Sequence, residues 1–335
     1  MELTPQNCRE YLAARGEPEA ARLAVTELGG GVSNRVLLVE GQGRRFVLKQ
    51  SLDRLRVAEE WLADRSRIFR ERQILDDVAA LLPAGAVPNA LWIDEANFLF
   101  AMSAAGSAAR TWKEHLLAGS VDADVAARVG TLLGLIIRDS WGSPEMERRY
   151  GNQMAFEQLR VDPYYRTVAR RRPELAPAIE EIIAQSAARR VSLVHGDFSP
   201  KNFLISPGGG VMVIDWEVVH YGDPSFDAAF CLNHLLLKSF RRPEQAGMLL
   251  EAARVFYAWT EGLLPPPALE WFEASAIRHL GCLMLARIDG KSPVEYIREE
   301  SAAQAVRETA MRILREPPDD IEACCKMVGE RAGHR

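Results

Sequence analysis

Hydrophobic and polar positions follow two rhythms along this chain. Up to about residue 102 the apolar residues fall mostly in short runs that alternate or are β-branched. Val25–Leu28 and Arg35–Glu40 read as strands joined by the loop Gly29-Gly30-Gly31-Val32-Ser33-Asn34, and the turn Gly41-Gln42-Gly43 leads to a third strand, Arg45–Gln50. Ala86–Asp94 and Phe98–Met102 read as two more. Residues 4–23 predict a short polar helix with Thr4 as N-cap and Pro5 at the first helical position. Residues 57–82 predict an amphipathic helix, because Val57, Trp61, Ile68, Ile74, Leu75 and Val78 share one face and Pro83 stops it. The segment 103–109, Ser-Ala-Ala-Gly-Ser-Ala-Ala, is small and uncharged and reads as a hinge. From Thr111 onward the period is helical, with an amphipathic run over 122–140 and a tail, 243–335, of three or four helices broken by Pro265-Pro266-Pro267 and Gly290-Lys291-Ser292-Pro293. Phe256, Tyr257, Trp259, Trp271 and Phe272 are expected in the core of that tail. Two short apolar runs, Val191–Val194 and Val211–Ile214, interrupt the helical half as small buried strands. The pattern predicts an α+β chain of two lobes: 1–102, a small antiparallel sheet with a helix; 103–109, the hinge; and 110–335, mostly helical.

Composition narrows the class. The chain has 335 residues, enough for about two domains with sizeable cores. A net charge of −5 argues against a nucleic-acid binder held by bulk charge. Its five cysteines, Cys8, Cys231, Cys282, Cys324 and Cys325, are odd in number and show no Cys-x-x-Cys spacing, so a disulfide framework or zinc site is not expected. The start, Met1-Glu2-Leu3-Thr4-Pro5, lacks a signal-peptide pattern, and no apolar run reaches membrane-spanning length. These features predict a cytoplasmic location without membrane or nucleic-acid partners.

The chemistry concentrates in residues 191–217. The first apolar run delivers His195, Gly196 and Asp197 into a loop that closes on Asn202, and the second delivers Asp215. A hairpin at Ser206-Pro207-Gly208-Gly209-Gly210 brings Asn202 and Asp215 side by side, where their oxygens could hold a hard cation. A carboxylate, an Asn a fixed distance later and a further Asp form the layout of a phosphoryl-transfer site, in which the first Asp accepts a hydroxyl proton and the other two bind Mg²⁺. His195-Gly196-Asp197, four residues, Asn202, and then Ile214-Asp215-Trp216-Glu217 resemble the aminoglycoside phosphotransferase / choline kinase superfamily, small-molecule kinases with a protein-kinase-like fold. The resemblance covers roughly residues 25–300 with the motifs in order.

That resemblance implies ATP and Mg²⁺ as cofactors and a small-molecule hydroxyl compound as acceptor. Phe46-Val47-Leu48-Lys49 resembles the strand whose Lys pairs with the nucleotide phosphates, so Lys49 takes that role. The loop with Gly30 and Gly31 would cover the phosphates through backbone N–H groups, with Ser33 and Asn34 adding side-chain hydrogen bonds. Glu71, in Glu71-Arg72-Gln73-Ile74-Leu75, is chosen to fix Lys49, with Glu59 and Glu60 as alternatives. Met102, Ser103 and Ala104 stand where adenine would meet backbone groups. Asp197 is the catalytic base, and Asn202 and Asp215 are the metal ligands. Asp227, in Gly222-Asp223-Pro224-x-x-Asp227, either braces the catalytic loop or is an ordinary helix-terminal carboxylate. Arg170-Arg171-Arg172 reads mainly as a solvated basic cluster. Val47–Leu52, Tyr221-Gly222 with Phe226-Asp227, and Met284–Ile288 are similar to segments of 5-methylthioribose kinases. Arg287 then matches one of a substrate-binding Arg pair whose other position is Ala286; its plainer reading is a surface Arg paired to an acid such as Asp289. The expected activity is phosphoryl transfer to a sugar-like hydroxyl compound. The alternatives are an aminoglycoside or amino-alcohol kinase of the same superfamily, or a nucleotide-binding regulator without catalysis. A protein kinase would need an Ala-Pro-Glu after Asp215, and the nearest echo is Arg242-Pro243-Glu244.

Overall fold

The computed structural model describes residues 1–29, 34–52 and 64–333. Gly30, Gly31, Ser33, Glu59 and Glu60 lie outside the described residues. The chain divides into two compact units, Met1–Ser107 and Ala108–Arg335.

The first unit is built on a five-stranded antiparallel sheet in the order β1-β2-β3-β5-β4: β1 Ala24–Glu27, β2 Asn34–Gly41, β3 Arg44–Ser51, β4 Ala90–Asp94 and β5 Leu99–Ser103. One face of this sheet, with Leu37, Val39, Phe46 and Leu48, packs with Leu3, Leu12 and Leu23 from the N-terminal segment into a core. Side chains alternate across a strand, so Lys49 stands on the opposite face from Leu48. A helix, Arg67–Ala79, packs against β3, β4 and β5 and buries Ile68, Glu71, Ile74, Leu75 and Val78. The apolar spacing read from the sequence is therefore seen over the described part of the 57–82 run. β4 starts at Ala90 rather than Ala86 because Pro83–Ala86 forms a turn, with Gly85 at φ 82° and Ala86 N–H donating to Pro83 O at 3.0 Å. The N-terminal helix is also shorter than its pattern suggests, at Cys8–Ala14. Thr4 is not its N-cap. Thr4 and Asn7 instead exchange backbone-to-side-chain hydrogen bonds of 2.7 and 3.3 Å that set up a turn before the helix. Gly16 at φ 81° follows the helix end, and the chain continues to a separate 3₁₀ turn at Ala20–Arg22.

The second unit is mainly helical, with two small sheets that carry its polar loops. β6 Arg110–Thr111, β8 Phe203–Ile205 and β9 Val211–Val213 form one, and β7 Ser192–Val194 pairs antiparallel with β10 His220–Gly222 to form the other. The helix Ser225–Arg241 is buried from Ser225 to Phe240, because Ala246–Glu261, Phe272–Asp289, Glu300–Arg315 and Ile321–Gly333 all pack on it. A helix enclosed in this way can be apolar all round. Phe256, Tyr257 and Phe272 are core, as expected, but Trp259 is 54% exposed. The Ala246–Glu261 helix points Phe256 and Thr260 inward, and Trp259 falls on the outer flank. Trp271 is half-buried, stacked against Trp141 with Arg189 over its ring. The Arg cluster is used for tethering: Arg170 pairs with Asp162, Arg171 donates to backbone carbonyls of Asp289 and Gly290, and Arg172 pairs with Asp289. All five cysteines are free and buried. Among the described residues no helix is long and apolar enough to cross a membrane.

Candidate active site

In the first unit, β3 and the Arg67–Ala79 helix bring Lys49 and Glu71 into one ion pair, with Lys49 Nζ 2.5 Å from Glu71 Oε1 and both residues buried. The choice of Glu71 therefore has a geometric counterpart. Asn34 opens β2 opposite Ser51 and is buried. Met102 and Ser103 end β5, where Ser103 exchanges two 2.9 Å hydrogen bonds with the backbone of Asn89, and Ala104 follows half-buried.

In the second unit, β7 ends at Val194 and the polar loop begins. His195 is buried; Asp197 N–H donates to its Nδ1 at 3.1 Å, and its Nε2 lies 3.0 Å from Ile214 O. Those partners require an acceptor at Nδ1 and a donor at Nε2, which is the neutral imidazole. Burial pushes the His195 pKa down to about 4, in agreement with that form. Gly196 has φ 79°, and a Cβ there would stand 2.8 Å from Val218 O, so only glycine fits between His195 and Asp197.

Asp227 lies at the start of the Ser225–Arg241 helix and is fully buried. Its two carboxylate oxygens accept the N–H groups of His195 at 2.6 Å and Gly196 at 2.9 Å. This is the bracing geometry rather than that of a solvated helix end. Burial pushes the Asp227 pKa up to about 7, against the pull of those two donors. The adjoining Asp223 is buried as well and ties the helix start through Ser225 N–H at 3.0 Å.

Asp197 sits between two cations. Lys201 Nζ is 2.8 Å and Arg160 Nη2 3.1 Å from its Oδ2. Burial alone would raise the Asp197 carboxyl, but Lys201 and Arg160 outweigh it and hold the group below the ordinary carboxylate range. Asn202 donates its Nδ2 to Asp197 O at 2.9 Å, which leaves its amide oxygen as the atom that could meet a cation. Ile214 N–H donates to Asn202 O at 3.0 Å, so the β8–β9 hairpin carries Asp215 beside Asn202. Asp215 adopts φ 67°, a left-handed conformation that costs a non-glycine residue on the order of 1–3 kcal/mol and recurs at functional sites. Among the described residues no group of three or more His, Cys, Asp or Glu could hold a metal ion. One carboxylate and one amide oxygen, completed by phosphate oxygens and water, nevertheless suit Mg²⁺, which takes few protein ligands.

Sequence reasoning missed Arg160 and the tie of Lys201 to Asp197. Arg160 comes from Glu157–Arg166, a stretch wound as a π-helix, and its Nε also donates to Gly196 O at 2.6 Å. Glu217, two residues after Asp215, is a further buried carboxylate of the loop. Arg287 is not paired to Asp289, which is taken by Arg172 and Arg307. It donates to Tyr164 Oη at 3.1 Å and to Ser292 Oγ at 2.9 Å.

His195 and Asp227 make opposite contributions to stability against pH. The His195 pKa is about 4 in the fold and 6.5 as its ordinary value, so stability from it is full above pH 6.5 and is lost as pH falls through that window. The Asp227 pKa is about 7 against an ordinary 3.8, so its contribution is full below pH 3.8 and is lost as pH rises towards 7. Relative to His195→Gln, the wild type is expected to gain about 3 kcal/mol as pH rises across the first window; relative to Asp227→Asn, it is expected to lose a similar amount, about 3–4 kcal/mol, across the second. Urea unfolding at several pH values measures both, and curves for the variants that run parallel to the wild type would contradict the assignment.

A sheet-borne Lys–Glu pair in one unit and an Asp–Asn–Asp loop in a helical unit define a kinase-type phosphotransferase. A family profile described as "Phosphotransferase enzyme family" matches residues 24–271, and the chain belongs to that family. It is 26% identical over 277 residues to a methylthioribose kinase of Escherichia coli O45:K1, a match that covers 72% of this chain and 65% of that protein. Its fold is similar to that of an amicoumacin kinase solved with AMP-PNP, Ca²⁺ and Ami, with a TM-score of 0.57, 14% identity, and 94% of this chain and 96% of that one covered. It is also similar to a Plasmodium vivax ethanolamine kinase, with a TM-score of 0.54, 11% identity, and 97% and 86% covered. The fold is α+β and protein-kinase-like, with its strands and helices divided as the sequence pattern predicts.

Proposed function

We propose that the chain transfers the γ-phosphoryl group of ATP to a hydroxyl of a sugar-like small molecule, in the cytoplasm. The observation that carries this reading is Asp197: a buried carboxylate held ionised by Lys201 and Arg160, on a loop whose Asn202 amide is tied to it. An ionised acid accepts the acceptor's hydroxyl proton as the oxygen attacks the phosphorus. Asp227 and Gly196 hold the loop in shape, and the neutral His195 spans it from Asp197 N–H to Ile214 O. Asn202 and Asp215 would hold Mg²⁺, which neutralises charge on the transferring phosphoryl group. Lys49, fixed by Glu71, steadies the nucleotide phosphates, with Gly30, Gly31, Ser33 and Asn34 around them and Met102, Ser103 and Ala104 along the adenine. The segment 103–109 serves as the hinge between the lobes.

The test is an ADP-release screen of the purified protein against hydroxylated metabolites and antibiotics, with mass spectrometry of the product. No ADP release that depends on an acceptor would overturn the reading. The nucleotide half has its own check. Lys49→Met is expected to reduce kcat/KM for Mg·ATP about 100-fold through mispositioning, and Glu71→Gln to reduce it in the same direction by less. Calorimetric titration with Mg·ATP and initial rates measure both, and unchanged values in the two variants would put the nucleotide elsewhere.

A further inference from the structure

The second unit sets a row of cationic side chains beside and beyond Asp197. Arg160 and Lys201 share it. The Arg160 guanidinium lies 5.8 Å from the centre of the Tyr164 ring, and Arg287 lies against the same ring at 5.8 Å while it donates to Tyr164 Oη. Beyond Phe230, which packs on Tyr164 at 5.9 Å and on His234 at 5.5 Å, the row continues. His234 Nδ1 meets Tyr296 Oη at 3.2 Å, and the ammonium of Lys238 lies 4.8 Å over the Tyr296 ring. Lys238 is almost fully buried, and its ammonium donates to His234 O at 3.0 Å.

The counter-charges are few. Lys113 pairs with Glu295 at 2.5 Å. Among the described residues neither Arg287 nor Lys238 forms an ion pair with a carboxylate, and Arg287 Nε is buried with no hydrogen-bond partner. Asp215 and Glu217 also act on Arg160, but Asp215 is the metal ligand in the reading above. Taking a cation out of water without a partner costs several kcal/mol, so such groups are normally paired. The electrostatics of the neighbouring groups agree. Burial, and then Arg287, Lys238, Lys201 and Lys113 in turn, drive His234 well below its ordinary range. Burial and Lys113 push Lys238 down to about 7.

We infer that the acceptor is an anionic hydroxyl compound, a polyol or sugar that carries a carboxylate or similar acid, whose negative group is taken by Arg287 and Lys238 while a hydroxyl faces Asp197. The inference rests on the kinase reading and names the substrate class of its site. A guanidinium with free donors and a buried ammonium suit an oxyanion, because charge-assisted hydrogen bonds there replace lost hydration. The same charges repel a polycation.

The experiment compares matched compounds in the ADP-release assay: gluconate against sorbitol, galacturonate against galactose, and the aminoglycoside kanamycin. The expected result is a kcat/KM at least about tenfold higher for the acid of a pair, a kanamycin rate at background, and collapse of the acid preference in Arg287→Gln and in Lys238→Met. Lys238→Met is also expected to raise the Tm, since methionine fills the buried site without a charge. Turnover that favours the neutral or cationic compounds would overturn the anionic class and leave the kinase reading standing. A panel with no turnover at all would count against the kinase reading, and calorimetry with gluconate alone then decides the pocket. Binding weakened at least about tenfold by each substitution supports it, while absent binding, or binding indifferent to both, overturns it. A Lys238→Met protein with lower Tm and unaltered gluconate binding would assign Lys238 to structure only.

Discussion

Asp197→Asn is expected to lower kcat by about 10²–10⁴-fold, the usual scale for loss of a general base, while Mg·ATP affinity stays near the wild-type value. Asparagine keeps the size of the side chain and can still accept from Lys201 or Arg160 through one oxygen. It cannot take a proton from the attacking hydroxyl. The substitution also removes a counter-charge shared by two cations, and Arg160, whose side chain is only 9% exposed, loses its ion-pair partner. Some loss of stability is therefore expected, on the order of 1–3 kcal/mol, well below what unfolds a chain of this size under assay conditions. A melting curve taken beside the rate assay separates the two effects. If the variant folds, binds nucleotide and turns over a confirmed acceptor at a near-normal rate, the base is not Asp197.

The lobes were legible because their periods differ. The five strands of the first unit are short and bounded by Gly, Pro and Asn, and the helices of the second follow apolar spacing or sit between prolines. The loop residues Asp197, Asn202 and Asp215 were legible because their spacing is local: one strand, one turn and one hairpin place all three. Other parts depended on contacts that no local pattern encodes. Arg160 reaches Asp197 from a π-helical stretch, where the side-chain period departs from 3.6 and offers no amphipathic signal. Asp227 could be read as helix-terminal or bracing, and only the fold shows its oxygens on the N–H groups of His195 and Gly196. Asp289 lies two residues from Arg287 and looked like its partner, but residues i and i+2 do not face each other on a helix. The acid points to Arg172 and Arg307 instead. Lys238 carried no warning either. It lies near the end of a helix buried along almost its whole length, where tertiary packing rather than the local sequence decides whether a Lys side chain reaches water.

Asp215 offers the largest expected loss. Asp215→Ala is expected to abolish Mg²⁺-dependent transfer, by at least about 10³-fold, because the charge developing between the phosphates then lacks the carboxylate that anchors its counter-ion. Alanine brings a second defect, since the backbone at this position has φ 67° and alanine tolerates that region poorly. Asp215→Asn separates the two effects. Asparagine adopts left-handed conformations readily, so it keeps the turn after β9 and its link from Ile214 N–H to Asn202 O while it loses the charge. The expected order of rates is wild type, then Asn202→Ala, then Asp215→Asn, then Asp215→Ala, with Asn202→Ala recovering part of its rate at raised Mg²⁺ because it forfeits one neutral ligand rather than the anionic one. ADP release measured over a Mg²⁺ titration, with circular dichroism to verify the fold of each protein, ranks them. If Asp215→Asn runs at the wild-type rate with the wild-type Mg²⁺ dependence, the ion is held by other groups, and Glu217, the buried carboxylate two residues on, becomes the next side chain to replace.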